Sequence, residues 1–237
     1  EEQDFKRQYG LTDGQLAWRR YEIAKYRSNP LLFQQEYPWD WDSSWVLPKG
    51  ALRVFPDETL LNLRTGIKPP EMRAVPESTG LRETIGGLVE VWQPPCKDTF
   101  YDIGVDIAEG ASDRADWTAA CVIRRDTLEQ VAELRVHMNP ASIEFIDLIY
   151  WLGMNYNAAQ VCPDITGGWG NALMTELQLR SYPNIWRWRR RDDSKQRIST
   201  RIGFLYTKRD KTTLDNNAVA LAARGGVTIH SQTLLYE

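Results

Sequence analysis

The chain has 237 residues, of which 42% are hydrophobic and 26% are charged, and its formal net charge is −3. That length fits one large domain or a domain with an appendage, and ten Trp and ten Tyr residues argue against a disordered chain. The mild acidity gives no overall signature of nucleic-acid binding, although basic residues can still cluster locally. Three cysteines without a CxxC pair and two scattered histidines argue against a disulfide framework and a zinc site.

The sequence also lacks the features of membrane and exported proteins. No run of about 18 apolar residues occurs, and the opening EEQDFKRQYG does not resemble a signal peptide. We therefore expect a soluble, intracellular protein without a membrane span.

The first two zones of the chain have few regular elements. Residues 1–45 are predicted to contain one helix, because Thr12 and Gln15 have the spacing of a capping box and apolar residues then recur at near-helical intervals. We expect this helix to end near Ser28-Asn29-Pro30. Residues 46–98 are rich in Pro and Gly, which predicts loops and short edge strands rather than long helices.

The third zone, residues 99–237, has stronger patterns. Ser142 is a predicted helix N-cap, and Gly225-Gly226 is a predicted helix stop. The periodicity predicts strands at 100–107, 117–124, 129–137, 158–162, 185–191 and 227–230, and helices at 142–152, 170–179 and 212–224. Three consecutive strands followed by a crossover helix and a further strand predict an α/β fold, in which a mixed sheet is flanked by helices.

The strongest local pattern is Tyr101–Gly110, where a buried strand runs into Asp106 and then into a turn with glycine. If Asp106 lies at the carboxyl end of its strand, it occupies the edge at which open α/β sheets bind ligands. The alternative is an aspartate that only stabilises a turn or a helix cap.

A second short strand ends in Asp164, which is followed by glycines up to Gly170. The helix at 142–152 can return this strand parallel to the one that carries Asp106, so that two carboxylates project from neighbouring strand ends. Such carboxylates repel each other unless a cation lies between them, and oxygen ligands favour hard ions such as Mg²⁺. The pair therefore predicts a phosphodiester hydrolase that uses two metal ions, with Asp106 and Asp164 as its metal ligands and catalytic residues.

Other acids and glycines surround this pair. Asp116 begins the strand predicted at 117–124 and is a predicted catalytic residue, as an accessory ligand or a group that orients water. Glu109 and Asp113 are predicted to be solvated loop residues. The glycines after Asp164 have two compatible interpretations, a tight turn from strand to helix and a close approach of a DNA backbone. No Walker A sequence occurs, so we expect no ATPase activity in this chain.

A basic segment follows at Trp186–Arg191. As a strand it places two tryptophans on one face and three arginines on the other, namely Arg187, Arg189 and Arg191. Such a row suits DNA phosphates, and the alternative is an edge strand that uses charge to prevent aggregation. The same two interpretations apply to the positive charges near the last predicted helix, which are Lys208, Arg209 and Lys211.

Several stretches, in a consistent order over most of the chain, resemble the large terminase subunits of tailed bacteriophages. Leu11–Gln15, Trp18–Arg20 and Phe33–Pro38 are similar to the stretch that links the ATPase motor to the nuclease.

The remaining stretches resemble the nuclease motifs themselves. Tyr101–Gly110 with Asp116 is similar to the first motif, and Val161–Gly170 is similar to the second. The similarity to the stretch before the last motif covers Gly203–Thr207 with Lys211, and then Val227–Glu237.

This resemblance implies an RNase H-like nuclease domain at 46–237 after a helical linker segment at 1–45. It implies an endonuclease dependent on Mg²⁺ or Mn²⁺ that cleaves concatemeric double-stranded viral DNA during genome packaging in the host cell cytoplasm. Asp106 and Asp164 match two of the three family metal ligands. The third is usually an aspartate in a later helix, so we expect the domain to lack its C-terminal part here. The implied partners are double-stranded DNA, the portal protein, the small terminase subunit and the ATPase domain of the same protein.

Two other functions are compatible with the sequence. One is a non-catalytic DNA- or portal-binding module, in which the acids are structural and the basic strand binds the partner. The other is a different RNase H-like enzyme, such as a resolvase or transposase, which the linker-like N-terminus disfavours.

Overall fold

The computed structural model describes residues 2–25, 33, 37, 54–108, 116–192 and 197–236, with the backbone alone at 3, 189–192, 197–199, 208, 209 and 236. It divides the chain into two compact units, Glu1–Val54 and Phe55–Glu237. The predicted end of the first helix, most of the 33–38 stretch, and Glu109 and Asp113 lie outside the described residues.

The N-terminal unit contains helices α1 (Glu2–Tyr9) and α2 (Asp13–Lys25). The predicted capping box is confirmed, because the backbone N–H of Gln15 donates to Thr12 Oγ1 at 3.2 Å and the Gln15 amide oxygen accepts from the Thr12 N–H at 2.8 Å. Helix α1 was not foreseen. It is separated from α2 at Gly10, whose φ of 62° lies in the left-handed region that glycine tolerates and that ends helices.

The second unit contains nine strands and five α-helices among its described residues. The strands are β1 (Met72–Glu77), β2 (Gly80–Glu83), β3 (Val89–Val91), β4 (Tyr101–Asp106), β5 (Thr118–Arg124), β6 (Glu129–Val136), β7 (Gln160–Pro163), β8 (Arg187–Asp192) and β9 (Arg197–Ile202). The helices are α3 (Asp57–Arg64), α4 (Ile143–Asn155), α5 (Asn171–Leu179), α6 (Lys208–Ala223) and α7 (Gln232–Tyr236), with a short 3₁₀ turn at Thr166–Gly168.

Seven strands form one mixed sheet in the order β2-β1-β3-β6-β5-β4-β7. Its neighbouring strands are antiparallel except β4 and β7, which are parallel. Strands β8 and β9 form a separate antiparallel hairpin. The predicted parallel return of the strand before Asp164 is therefore confirmed, and helix α4 is the crossover that makes it.

The core lies between one face of this sheet and helix α4. Alternate residues of β4, such as Ile103 and Val105, are buried, as are Phe145, Ile149 and Leu152 of α4. Burying each such side chain contributes about 1.5–3 kcal/mol, so this layer fixes the position of the central strands. The side chain of Ser142 accepts from the Phe145 N–H at 3.2 Å, which confirms the predicted N-cap.

Three sequence-based expectations need correction. The Pro- and Gly-rich zone predicts edge strands, but β3 lies inside the sheet between β1 and β6. Its three residues are too few to show the alternation of buried and exposed residues that would identify a strand. The stretch at 227–230 makes only a bridge from Thr228 to Glu129. Helix α6 begins at 208 because Thr207 caps it, accepting from the Asp210 N–H at 3.2 Å.

A buried polar network fastens the segment after α6 to strand β6. The side-chain oxygen of Gln130 accepts from the backbone N–H groups of His230 and Ser231, both at 2.8 Å. The Gln130 amide nitrogen donates to Glu133 at 2.8 Å, and burial raises the pKa of that carboxyl. One glutamine thus satisfies two backbone donors and one buried carboxyl group.

We expect Gln130→Ala to lower the free energy of unfolding by about 2–4 kcal/mol, because buried donors left without a partner each cost about 1–3 kcal/mol. Urea denaturation followed by circular dichroism measures this loss. The matched control is Gln160→Ala, which removes a glutamine from β7 that is only partly buried and makes one 3.3 Å bond to Asn184. Equal losses in the two variants would contradict the anchoring role.

Candidate active site

The parallel pairing of β4 with β7 places two aspartates at one edge of the sheet. Val105 is in register with Pro163, and the N–H of Asp164 donates to the Val105 carbonyl at 2.8 Å. Asp106 and Asp164 are the next residues on these strands, and neighbouring strands lie about 4.8 Å apart. Residues in register point to the same face, so the two carboxylates project side by side, as their sequence pattern predicts.

The electrostatics of Asp106 reflect this arrangement. Partial desolvation and then the charge of Asp164 raise the pKa of Asp106, while a backbone hydrogen bond from Ile107 opposes the shift. Asp116 makes the smallest contribution, also upward. Asp116 is exposed and lies two residues before β5, whose Ala119 is the register partner of Asp106. The structure therefore brings all three predicted site acids to the same end of the sheet.

The acids form a site for a positive charge rather than a finished cage of ligands. Within the described ranges, no group of three or more His, Cys, Asp or Glu residues has the geometry to hold a metal ion. Asp106 and Asp164 supply oxygen donors, and burial followed by the neighbouring charge of Asp164 raises the pKa of Asp106. A hard divalent cation matches both the donor atoms and the sign of the local charge.

The loop after Asp164 is a tight turn in which Gly170 leaves no space for a side chain. The N–H of Thr166 donates to Asp164 Oδ1 at 2.7 Å, which orients that carboxylate. Gly167 has a φ of 74°, a conformation that suits glycine. A Cβ on Gly170 would lie 2.1 Å from the Asp164 carbonyl oxygen. These contacts account for the glycines as turn residues, which is one of the two interpretations of the sequence.

A second segment is attached to this loop, and it carries a residue that sequence reasoning did not single out. The N–H of Phe204 donates to the Pro163 carbonyl and the N–H of Ile165 to the Phe204 carbonyl, both at 2.8 Å. The N–H of Tyr206 donates to Thr166 Oγ1 at 2.8 Å. Partial burial, then the charges of Asp164 and Asp106, raise the pKa of Tyr206.

Tyr206 therefore lies within the electrostatic reach of both acids, and it is 41% exposed. In the sequence, its segment Gly203–Thr207 shows only a resemblance to the stretch before the last nuclease motif. No spacing within the sequence relates Tyr206 to an aspartate 42 residues earlier, because the relation depends on the bridge between Phe204 and Asp164.

The predicted basic strand exists, but as one half of a hairpin. Arg187 is exposed in β8, and Trp186 is half-buried against Phe204 with ring centroids 5.6 Å apart. Lys211 is exposed in the first turn of α6. The remaining predicted DNA-binding side chains lie outside the described ones, namely Arg189, Arg191, Lys208 and Arg209.

The fold is similar to those of solved phage nuclease domains. The magnesium-bound large terminase nuclease from thermophilic phage G20c has a TM-score of 0.51 and 19% identity, over 75% of this chain and 76% of that chain. Its zinc-bound form has a TM-score of 0.51 and 20% identity, over 76% and 86%. The nuclease domain of Thermus phage P74-26 large terminase has a TM-score of 0.50 and 20% identity, over 76% and 75%. No protein-family model and no curated protein sequence matches the chain.

This likeness identifies the fold class. The chain has the mixed α/β, RNase H-like fold, with a seven-stranded sheet flanked by helices. Within that class it has the fold of the large terminase nuclease domains. The predicted fold class is thus confirmed. In the part of the chain that the structure describes, no helix is long and apolar enough to cross a membrane.

We expect Gly170→Ala to lower the free energy of unfolding by roughly 1–3 kcal/mol, because the added methyl group collides with the Asp164 backbone. Urea denaturation measures the loss. The control is Gly86→Ala, since a Cβ at Gly86 meets nothing within 4 Å. A Gly170→Ala protein as stable as the control would rule out the steric constraint on this turn.

Proposed function

We propose that this chain is the metal-dependent nuclease domain of a phage large terminase, and that it cleaves double-stranded DNA as an endonuclease. The observation that carries the proposal is the pair Asp106 and Asp164, held at neighbouring ends of parallel strands, where the charge of Asp164 helps to raise the pKa of Asp106. The terminase nuclease fold supports the same assignment. The natural substrate would then be concatemeric viral DNA, cut during genome packaging in the host cytoplasm.

The proposed cofactor is Mg²⁺ or Mn²⁺, held by Asp106 and Asp164 in a site for two metal ions. The similar phage G20c nuclease has been solved with bound magnesium, zinc and cobalt. When bound, such ions activate the attacking water and stabilise the leaving oxygen of a phosphodiester. The two carboxylates suit this role because, when ionised, their oxygens carry no hydrogen to donate, and because both side chains lie on the same face of the sheet.

Other residues support this pair. Asp116, exposed at the same end of the sheet, would serve as an accessory ligand or orient water at the edge of the pair. Thr166 holds Asp164 through its backbone N–H and holds the Tyr206 segment through its hydroxyl group. These two bonds keep the Asp164 carboxylate and the backbone of Tyr206 in a fixed relation, as reaction geometry requires.

Basic residues on the hairpin and on α6 would attract the DNA backbone. This group comprises Arg187, Arg189, Arg191, Lys208, Arg209 and Lys211. Each phosphate contact contributes affinity that falls as salt rises, without reading sequence. The further partners in this proposal are the portal protein, the small terminase subunit and the ATPase domain of the same protein.

Replacement of either acid tests the catalytic assignment. We expect Asp106→Asn and Asp164→Asn each to reduce Mn²⁺-dependent plasmid cleavage by at least about a hundredfold, because even residues that only support metal ligands cost 10–100-fold. DNA affinity should change little. The matched control is Asp102→Asn, a carboxylate on the same strand that is paired with Arg125. Unchanged cleavage in both acid variants would contradict the catalytic assignment, whereas a wild-type chain that binds DNA without cutting it would favour a non-catalytic DNA- or portal-binding module.

Metal binding can be tested without any reaction. We expect millimolar Mn²⁺ to raise the melting temperature of the wild-type chain, since a ligand at a hundred times its Kd stabilises by about 2.7 kcal/mol. The double variant Asp106→Asn with Asp164→Asn should lose this shift, while Asp102→Asn should keep it. A shift of equal size in the double variant would place the metal elsewhere. Differential scanning fluorimetry with EDTA as the reference supplies the measurement.

A further inference from the structure

An aromatic and basic cluster lies on the same sheet face as the acids, on the opposite side of Asp106 from Asp164. It consists of Trp117, Arg135 and His137. Trp117 is 43% exposed, and the Arg135 side chain is 28% exposed. The proposed function above assigns no role to any of these residues.

Strand register fixes where the cluster stands. Asp106 pairs with Ala119 of β5, and Ala119 pairs with Arg135 of β6, so all three residues point to one face. Trp117 and His137 each lie two residues beyond this row, toward the sheet edge that carries the acids. Two strand spacings separate Asp106 from Arg135, which is roughly 10 Å. That distance is too long for a direct role in the reaction. It equals about three times the rise per nucleotide along one DNA strand.

The three side chains hold one another in place. The Arg135 guanidinium lies 5.0 Å from the centre of the Trp117 ring, and the Trp117 and His137 ring centroids are 3.6 Å apart. His137 Nδ1 is buried and has no hydrogen-bond partner among the described residues. The contact with Trp117 therefore positions the imidazole. Glu133 lies 3.6 Å from Arg135 and is almost fully buried, so this ion pair fixes the guanidinium from the sheet side.

We propose that Trp117, Arg135 and His137 bind the substrate strand a few nucleotides from the scissile phosphate. Arg135 and His137 contact backbone phosphate oxygens, and Trp117 packs against the adjacent sugar or a base that has left its stack. Aromatic rings beside cations are the combination that proteins use along nucleic-acid strands. This proposal rests on the nuclease function above, because the acid pair defines where the cut phosphate lies.

Nucleic acid fits the cluster better than a protein partner does. The cluster shares its face with the acid pair, which would repel an acidic protein surface but which a divalent cation converts into a phosphate site. Basic residues beside such a site then meet the same polyanion. A binding surface at this distance affects how the strand is held, and it leaves the reacting groups unchanged.

The test measures DNA affinity and cleavage separately in the full chain. Affinity for a fluorescein-labelled 30-base-pair duplex is followed by anisotropy in EDTA, where no cleavage occurs, at several salt concentrations. Plasmid cleavage in Mn²⁺ gives KM and kcat. We expect Trp117→Ala to raise Kd and KM about tenfold, within the range for loss of one stacking contact, with kcat within about twofold of wild type.

The arginine gives a second, independent readout. Arg135→Gln removes one phosphate contact, so the slope of log affinity against log salt should fall by about one. Trp117→Ala should leave that slope unchanged. A change of slope distinguishes a phosphate contact from a loss of packing, which would affect stability but not the salt dependence.

The opposite end of the same strands provides matched controls. Phe100 is 72% exposed, and the Arg125 guanidinium lies 5.9 Å from its ring centre, which reproduces the aromatic and cationic pair away from the acids. Phe100→Ala and Arg125→Gln should leave both affinity and salt slope unchanged. Trp117→Phe keeps an aromatic ring and should therefore lose less affinity than Trp117→Ala. This comparison separates the loss of the ring from misfolding of the variant.

The outcomes are distinguishable. If the wild-type chain binds and cuts DNA but the cluster variants behave as it does, the cluster proposal is wrong and the nuclease assignment stands. If the cluster variants lose affinity and Asp106→Asn loses cleavage but keeps affinity, the cluster proposal is supported. If the wild-type chain neither binds nor cuts, both proposals are wrong. Reduced binding of a protein partner with DNA affinity intact would also overturn the cluster proposal.

Discussion

The candidate site depends on the parallel hydrogen bonding of two strands. Once β7 lies beside β4 in the register of Val105 with Pro163, the two following aspartates must share an edge and a face. Burial and then that proximity raise the pKa of Asp106, and the buried layer beneath α4 supplies the stability that offsets this cost. Packing thus maintains a charge arrangement that is unfavourable without a cation.

Much of this arrangement is predictable from the chain, for identifiable reasons. Asp106 and Asp164 each follow a short apolar run, and a helix of crossover length separates the two runs. Right-handed crossover connections then leave few topologies. Ser142 and Thr12 indicated helix starts correctly because a capping side chain acts within three residues. Local rules succeeded wherever the relevant contact was local.

The remaining features depend on contacts that are distant in sequence. Tyr206 reaches the acids only through the pairing of Phe204 with the Asp164 loop. Trp117 meets His137 because β5 and β6 are paired in one particular register, which neither strand specifies alone. The start of α6 is the exception, since Thr207 and Asp210 form a local capping pattern at that point, although the apolar periodicity predicted a start at 212.

The attachment of the Gly203–Thr207 segment has a mechanical consequence. The N–H of Gly203 donates to the Trp186 carbonyl at 3.2 Å, and the neighbouring Phe204 is bonded on both sides to the strand that ends in Asp164. The hairpin that carries Arg187 and the carboxylate at Asp164 therefore share one anchor point. A displacement of the hairpin would therefore move the backbone on both sides of Asp164, and with it the position of that carboxylate relative to Asp106.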